Sequence, residues 1–270
     1  MTEKIGCIGG GQMGEALVRG MIQSGLYQGG DIMIAEPDAQ RREYLESTYA
    51  IRAVGESPAL WQECGIVILA VKPQIMATML NDSRELVQDS HLLITIAAGL
   101  PLAFYSECLG SETCRIIRVM PNTPALILQG ASAICGNQNV SKADIETAET
   151  IFSAVGRTVV LEESYLDAVT GLSGSGPAYV FTFVEALIDA GVKCGLSRSV
   201  AELLTIQTVL GSVGLLQQSG EHPAVLRSRV ASPGGTTIAG LHVLEKAGFR
   251  GIIMDAVEAA TNRSKSLGKS

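Results

Sequence analysis

The stretch Lys4–Gly14, KIGCIGGGQMG, decides the fold of the N-terminal half. Residues 4–8 form a short apolar segment that predicts a strand, and the run from residue 12 to about residue 24 predicts a helix. The glycines between them follow the order G-x-G-x-x-G, which in this setting favours dinucleotide binding over an unliganded glycine-rich turn. In this pattern Gly9 permits the tight turn, Gly11 lets a pyrophosphate approach, and Gly14 lets helix and strand pack closely.

A second predicted strand, Asp31–Ala35, ends beside Glu36. A carboxylate at this place accepts hydrogen bonds from the ribose hydroxyls of NAD(H) and repels the 2′-phosphate of NADP(H). Arg41 and Arg42 follow on the next predicted helix and either bind such a phosphate or lie on a solvated surface. The sequence therefore leaves NADPH or NADH open as the cofactor.

Short apolar strands continue to alternate with helical segments up to Leu161, which predicts an α/β fold with a Rossmann-type, mostly parallel sheet whose faces are covered. The further predicted strands are Ile51–Ala53, Ile66–Ala70, Leu92–Ile96, Arg115–Met120, Ala131–Cys135 and Thr158–Leu161. Ligands of such sheets lie at the carboxyl ends of the strands. At these ends Lys72, Asn122 and Thr123 are either contacts of the nicotinamide ribose or amide or ordinary polar loop residues, and Val71, Pro73 and Ala97 lie in the same loops on the candidate cofactor side.

The pattern changes near Glu162, after which only helices are predicted. We therefore expect a dinucleotide-binding domain at 1–161 and an all-α domain at 162–270. The predicted helices are Glu163–Leu172, Pro177–Cys194, Arg198–Ser219, Pro223–Val230, Thr236–Lys246 and Arg250–Ser266. Within Tyr179–Lys193 the polar residues form one thin stripe and the other faces are apolar, so we expect a second chain to cover them in a homodimer.

Composition limits the partners and the compartment. The chain of 270 residues is 47% hydrophobic, carries a net charge of −7 and has no basic run, which argues against nucleic acid and anionic membranes. Its six cysteines are scattered and without metal-ligand spacing, so we expect reduced thiols and no metal. The first predicted strand leaves no room for a targeting segment, which predicts a cytoplasmic protein. Its most apolar part, Ala178–Leu216, contains five charged residues, so no membrane span is expected.

Two further turns carry candidate binding groups. In Ala231–Leu241, ASPGGTTIAGL, a proline and two glycines precede two threonines and a predicted helix. The backbone amides and hydroxyls at this helix start either form an anion site or only cap the helix. Pro233 is expected at the helix entry. At Ser173–Tyr179, SGSGPAY, a flexible turn is predicted to enter a helix with Pro177 at its first position; Ser175 either borders the ligand or lies in a linker.

Taken together, Gly9–Gly14, Val71–Gln74, Met120–Pro124, Ser173–Pro177 and Ser232–Leu241 resemble pyrroline-5-carboxylate reductase over essentially the whole chain. The resemblance implies a Rossmann domain followed by a helical dimerisation domain, an active site between them, and dimers that assemble into rings. It implies NAD(P)H-dependent reduction of 1-pyrroline-5-carboxylate to L-proline, the last step of proline biosynthesis. The residues that it implies on the cofactor side include the whole glycine turn, with Gln12 and Met13.

The resemblance also assigns substrate contacts, namely Ser232, Gly234, Gly235, Thr236 and Thr237. The Thr237 hydroxyl is the expected hydrogen-bond donor towards the ring nitrogen. Two alternatives remain, a β-hydroxyacid dehydrogenase and a non-catalytic dinucleotide sensor. The first needs a lysine as base four residues after Gly176, where this chain has Val180. The second leaves the threonine hydroxyls unexplained.

Overall fold

The computed structural model describes residues 3–268. The chain divides into two compact units. One contains the chain up to Ser175 together with the residues from Ala259 onwards, and the other is Gly176–Glu258. The chain passes from one unit to the other after Ser175 and after Glu258, whereas the predicted boundary is at 161/162. The predicted boundary marks the point at which strands give way to helices.

The first unit is built on one eight-stranded sheet with the order β3-β2-β1-β4-β5-β6-β7-β8. Its strands are β1 Ile5–Ile8, β2 Ile32–Ala35, β3 Arg52–Val54, β4 Ile66–Leu69, β5 Leu92–Thr95, β6 Arg115–Met120, β7 Gly130–Gly136 and β8 Gly156–Val160. All neighbours pair in parallel except β6 and β7, which confirms the predicted Rossmann-type, mostly parallel sheet. The order reverses between β1 and β4, where ligands of such sheets bind.

The antiparallel pair β6–β7 corrects the expectation that the βα units continue in parallel up to Leu161. Only a 3₁₀ turn, Thr123–Ile127, joins the two strands, and a parallel crossover needs a longer connection. The expectation of covered faces fails at the sheet edge, since Val159 and Val160 of β8 are exposed.

Helices cover both faces of the central strands. They are α1 Gln12–Gln23, α2 Ala39–Tyr49, α3 Pro58–Glu63, α4 Pro73–Ser83, α5 Leu102–Leu109, α6 Lys142–Ser153 and α7 Leu166–Val169. One core forms around Leu17, Ile34 and Phe152, and the other around Trp61, Leu69 and Tyr105. Strands buried on both faces explain the uninterrupted apolar runs of β1, β2, β4 and β5.

In the turn after β1, a side chain would meet different surroundings at each of the three motif glycines. Gly9 has a φ of +109°, and a side chain there would lie 2.8 Å from the Ala70 carbonyl oxygen. A Cβ on Gly14 would lie 2.3 Å from the Gly9 carbonyl oxygen. At Gly11, in contrast, no other part of the protein lies within 4 Å of such a Cβ. The fold therefore requires Gly9 and Gly14 but leaves open space at Gly11.

The segment 163–175 differs from the predicted helix Glu163–Leu172 and from the predicted flexible turn. It contains a 3₁₀ turn Glu163–Tyr165, α7, and the π-helix Thr170–Gly174, whose turn is closed by a 2.8 Å hydrogen bond from the Ser175 amide to the Thr170 carbonyl. The next helix begins at Gly176, so Pro177 stands at its second position and not at its first.

The remaining helices are α8 Gly176–Lys193, α9 Arg198–Ser219, α10 Pro223–Val230, α11 Thr236–Lys246 and α12 Phe249–Leu267. The predicted bounds of α9, α10 and α11 are confirmed. Between Gly176 and Glu258 only Ala201 is a buried hydrophobic residue, where α8 and α9 approach closely at Gly191. Large apolar side chains such as Phe181, Leu203 and Leu210 are more than 60% exposed in the single chain.

The helix α9 is long and apolar enough, by length and composition alone, to cross a membrane. This finding differs from the expectation that no stretch qualifies. The difference arises because the charged residues counted within Ala178–Leu216 lie largely outside the central part of α9, in α8 and in the first turns of α9 itself.

We predict that Gly14→Ala lowers the free energy of unfolding by about 1–3 kcal/mol, because the methyl group meets the Gly9 carbonyl and forces α1 away from β1. Gly11→Ala is the matched control and should stay within about 0.5 kcal/mol of the original chain. Denaturant unfolding of the two variants measures the difference. An equal loss in both would contradict the steric account of Gly14.

Candidate active site

A cavity of about 430 Å³ lies at the carboxyl ends of β1, β2 and β4. Its lining includes the predicted cofactor residues Gly9, Gly11, Glu36, Val71 and Lys72. Gly11 is also the N-cap of α1, and no side chain caps this helix. The amides of the first turn are therefore open to an anion such as a pyrophosphate. The structure thus brings five of the predicted cofactor residues together in one cavity.

The Glu36 carboxylate is held by two backbone amides. One oxygen accepts a 2.9 Å hydrogen bond from Gly10, and the other accepts a 3.1 Å hydrogen bond from Asp38. A Cβ on Gly10 would lie 3.2 Å from this carboxylate, so the two residues are in close contact. Glu36 therefore has a defined position beside the glycine turn, and a negative charge borders the cavity.

The two arginines of α2 bind the same region of the backbone. The Arg41 Nε donates to the Gly10 carbonyl over 2.6 Å, and its guanidinium also pairs with Glu15 of α1. The Arg42 Nη1 donates to the carbonyls of Glu36 and Pro37, each over 2.8 Å. Both guanidinium groups are thus engaged with protein atoms around the turn.

Sequence reasoning missed the role of Glu15. One of its oxygens accepts hydrogen bonds from Tyr44 and Tyr49 over 3.0 and 2.7 Å, while the other binds Arg41. Burial raises the pKa of Glu15, but the hydrogen bonds from Tyr49, Arg41 and Tyr44 outweigh it and the pKa is lowered. The signal in the sequence is an acidic residue in the first turn of α1 together with three donors spaced along α2.

The loops after β4 and β5 place three further candidates. Lys72 is the N-cap of α4 and Pro73 is its first residue, as the loop Val71–Gln74 suggested. Lys72 is exposed and makes no ion pair with any residue in the range 3–268. Ala97 is buried, and its amide donates to the Thr95 hydroxyl over 3.3 Å.

The side chain of Asn122 bonds the backbone at both ends of its amide. Its Oδ1 accepts from the Ala131 amide over 2.8 Å, and its Nδ2 donates to the Ser173 carbonyl over 3.1 Å. Thr123 begins the 3₁₀ turn and is exposed. Unlike Asn122, Thr123 makes no side-chain hydrogen bond within residues 3–268.

The turn before α11 also leaves a helix start uncapped. Gly234 has a φ of +67°, a left-handed conformation that favours glycine, and a Cβ on Gly235 would lie 3.2 Å from the Ser232 carbonyl oxygen, which is a tight contact. Gly235 is the N-cap of α11 without a side-chain hydrogen bond. Pro233 lies within this turn, which is closed by a 3.1 Å hydrogen bond from the Gly235 amide to the Ser232 carbonyl, and not at the first position of α11, which corrects the sequence expectation.

The hydroxyls of this turn are accessible. Thr236 is exposed and Thr237 is half-buried, and neither hydroxyl has a hydrogen-bond partner within the described range. The open amides of α11 and these hydroxyls can together bind a carboxylate. Ser175, the remaining candidate, is half-buried and follows the π-helix.

Four other reactive side chains, all in the first unit, are bound or buried. His91 accepts from the Gln88 amide at Nδ1 and contacts the Trp61 carbonyl at Nε2, and burial lowers its pKa. Burial raises the pKa of the Cys7 thiol to about 12 and of Cys64 and Cys135 to about 11. Within residues 3–268 no His, Cys, Asp and Glu side chains cluster as metal ligands would.

Known proteins resemble the chain over its whole length. Residues 163–267 match the family described as pyrroline-5-carboxylate reductase dimerisation, and residues 4–99 match the family described as NADP oxidoreductase, coenzyme F420-dependent. The pyrroline-5-carboxylate reductase of Synechocystis sp. is 45% identical over 100% of both chains.

Two solved structures agree with this relationship. The pyrroline carboxylate reductase of Plasmodium falciparum with NADP bound is 37% identical, with a TM-score of 0.89 over 99% of this chain and 98% of that one. The pyrroline-5-carboxylate reductase of Coxiella burnetii is 33% identical, with a TM-score of 0.94 over 100% of both. With this degree of identity along its full length, the chain belongs to the pyrroline-5-carboxylate reductase family.

Proposed function

We propose that the chain reduces 1-pyrroline-5-carboxylate to L-proline with NAD(P)H, the last step of proline biosynthesis. The observation that carries this proposal is the 45% identity to a pyrroline-5-carboxylate reductase with no part of either chain left over. Two uncapped helix starts, at Gly11 and at Gly235, support it, since the reaction needs one anion site for a dinucleotide and one for a carboxylate.

The glycine turn fits a dinucleotide on its own geometry. Gly9 and Gly14 are required by contacts within the protein, whereas the open space at Gly11 serves no contact within the protein and suits a pyrophosphate. The residues on the cofactor side are Gly9, Gly11, Gln12, Met13, Gly14, Glu36, Val71, Lys72, Pro73, Ala97 and Thr123, with Asn122 in the loop that presents Thr123. When bound, the nicotinamide supplies the hydride.

The turn before α11 would bind the substrate. The open amides of α11, with Ser232, Gly234, Gly235 and Thr236, hold the carboxylate, and Ser175 borders the ring. The Thr237 hydroxyl donates a hydrogen bond towards the ring nitrogen. An iminium carbon is already electrophilic, so the protein mainly has to hold the reacting carbons about 3–3.5 Å apart.

The rival reaction, oxidation of a β-hydroxyacid, finds no base at the corresponding place. Val180 stands where that chemistry needs a lysine, and it is an exposed apolar residue of α8. A non-catalytic sensor remains distinguishable by experiment, because it would bind the cofactor without turnover.

The family match at 163–267 is to a dimerisation domain, and the chain accordingly acts as an oligomer. We propose that a second copy covers the apolar faces of α8 and α9, so that α9 contacts protein and not lipid. In this proposal residues 1–161 form the dinucleotide-binding domain, and residues 162–270 bind the substrate and the partner chain. The dimers assemble further into rings. The protein acts in the cytoplasm and does not bind nucleic acid. Sedimentation equilibrium tests the assembly, and the mass of a single chain would contradict it.

The activity is tested by mixing purified protein with pyrroline-5-carboxylate and either NADPH or NADH and following the absorbance of the reduced cofactor. Rapid consumption, with proline as the product, is the expected result. Turnover with 3-hydroxy acids instead would select the dehydrogenase, and binding without turnover would select the sensor.

Thr237→Ala should lower kcat or kcat/KM about tenfold or more, as expected for the loss of a hydrogen bond of about 1.5 kcal/mol to the reacting ring. Thr147→Ala is a suitable control, because its hydroxyl only bonds the Ala143 carbonyl within α6. Steady-state kinetics of both variants decide the matter, and unchanged kinetics of Thr237→Ala would remove this residue from the mechanism.

Glu36→Ala should shift the preference towards NADPH, because it removes the negative charge that repels a 2′-phosphate. The measurement is the ratio of kcat/KM for NADPH to that for NADH. Glu43→Ala on the exposed surface of α2 controls for a general change in charge and should leave the ratio as it is. A ratio that also stays constant in Glu36→Ala would show that Glu36 does not select the cofactor.

A further inference from the structure

Asn122 holds two separate parts of the chain with one side chain. The Oδ1 accepts from the Ala131 amide of β7, and the Nδ2 donates to the Ser173 carbonyl in the π-helix Thr170–Gly174. These two bonds fix the orientation of the amide and leave one N–H donor and one acceptor lone pair of the side chain unused by them. The loop that follows β6 is therefore joined to the π-helix through this side chain.

We propose that Asn122 is a positioning residue that fixes the segment Thr170–Ser175, and that its side chain does not contact the cofactor. The inference rests on the proposed function, in which Ser175 borders the substrate. Through Asn122 the loop that presents Thr123 on the cofactor side also sets the place of Ser175. Asn122 thus affects binding of the imine and not of the nucleotide.

Packing along the same loop supports this role. A Cβ on Gly174 would lie 2.6 Å from the Met120 Cε, so the end of β6 is in direct contact with the π-helix. Local bonds also hold the π-helix, from the Thr170 hydroxyl to the Leu166 carbonyl over 2.8 Å, from the Ser173 hydroxyl to the Val169 carbonyl over 3.2 Å and from the Ser175 amide to the Thr170 carbonyl. Single π-turns are rare and occur frequently at functional sites.

The other end of β6 offers a matched control. Asn137 also joins backbone groups: its Oδ1 accepts from the Ile116 amide over 3.2 Å and from the Asn139 amide over 3.3 Å, and its Nδ2 donates to the Cys114 carbonyl over 2.8 Å. It lies at the amino end of β6, away from the edge at which the cavity opens. Equal substitutions at Asn122 and Asn137 thus remove similar hydrogen bonds at two ends of one strand.

The decisive variant is Asn122→Asp, which keeps the acceptor for the Ala131 amide but places a carboxylate oxygen against the Ser173 carbonyl. We expect the KM for pyrroline-5-carboxylate to rise about tenfold while the Kd of NAD(P)H stays within about twofold. Asn122→Ala should show the same pattern without an added charge. Asn137→Asp and Asn137→Ala should keep both constants near those of the original chain.

Hydrogen exchange gives a readout that does not need activity. The Ser175 amide should exchange faster in Asn122→Asp and unchanged in Asn137→Asp, since only the first loses the bond to the π-helix. A weakened Kd of the cofactor with an unchanged KM, or unchanged exchange at Ser175, would overturn the proposal. Absence of imine reduction by the original chain would instead refute the proposed function, and the exchange experiment would still test the positioning role.

Discussion

The site depends on the close approach of α1 to the end of β1. This approach is possible because Gly14 has no side chain to meet the Gly9 carbonyl, and because Gly9 adopts a left-handed conformation beside the Ala70 carbonyl. The start of α1 consequently faces the carboxyl edge of the sheet with its amides uncapped. The Gly10 amide then donates to Glu36, and Arg41 donates to the Gly10 carbonyl, so the turn is held from the end of β2 and from α2.

Much of this architecture could be predicted from local patterns. The strands are buried on both faces and read as apolar runs, and α9, α10 and α11 are bounded by Ser, Gly and Pro signals that belong to helix ends. The apolar pattern of β7 does not show its direction, which follows from a connection to β6 that is too short for a parallel crossover. The π-helix Thr170–Gly174 also escaped prediction, because its glycines and serines are equally typical of a flexible turn.

For the site, the sequence indicated which loops matter but not which atoms are free. Glu36 and Asn122 are polar residues at strand ends, and both turn out to bond backbone groups. Such partners lie far away in the sequence, as Ser173 does from Asn122, and no spacing rule connects them. Thr123 and Thr237, whose side chains remain accessible, are better matched to the roles expected of them.

A helical unit in which Ala201 is the only buried hydrophobic residue between Gly176 and Glu258 has little to hold it together in isolation. In an oligomer of this kind, folding of the helices and meeting of the chains become one equilibrium governed by mass action. Each tenfold dilution of a dimer then removes about 1.4 kcal/mol of its apparent stability. The amount of protein that a cell makes thereby becomes a determinant of how well each copy withstands heat.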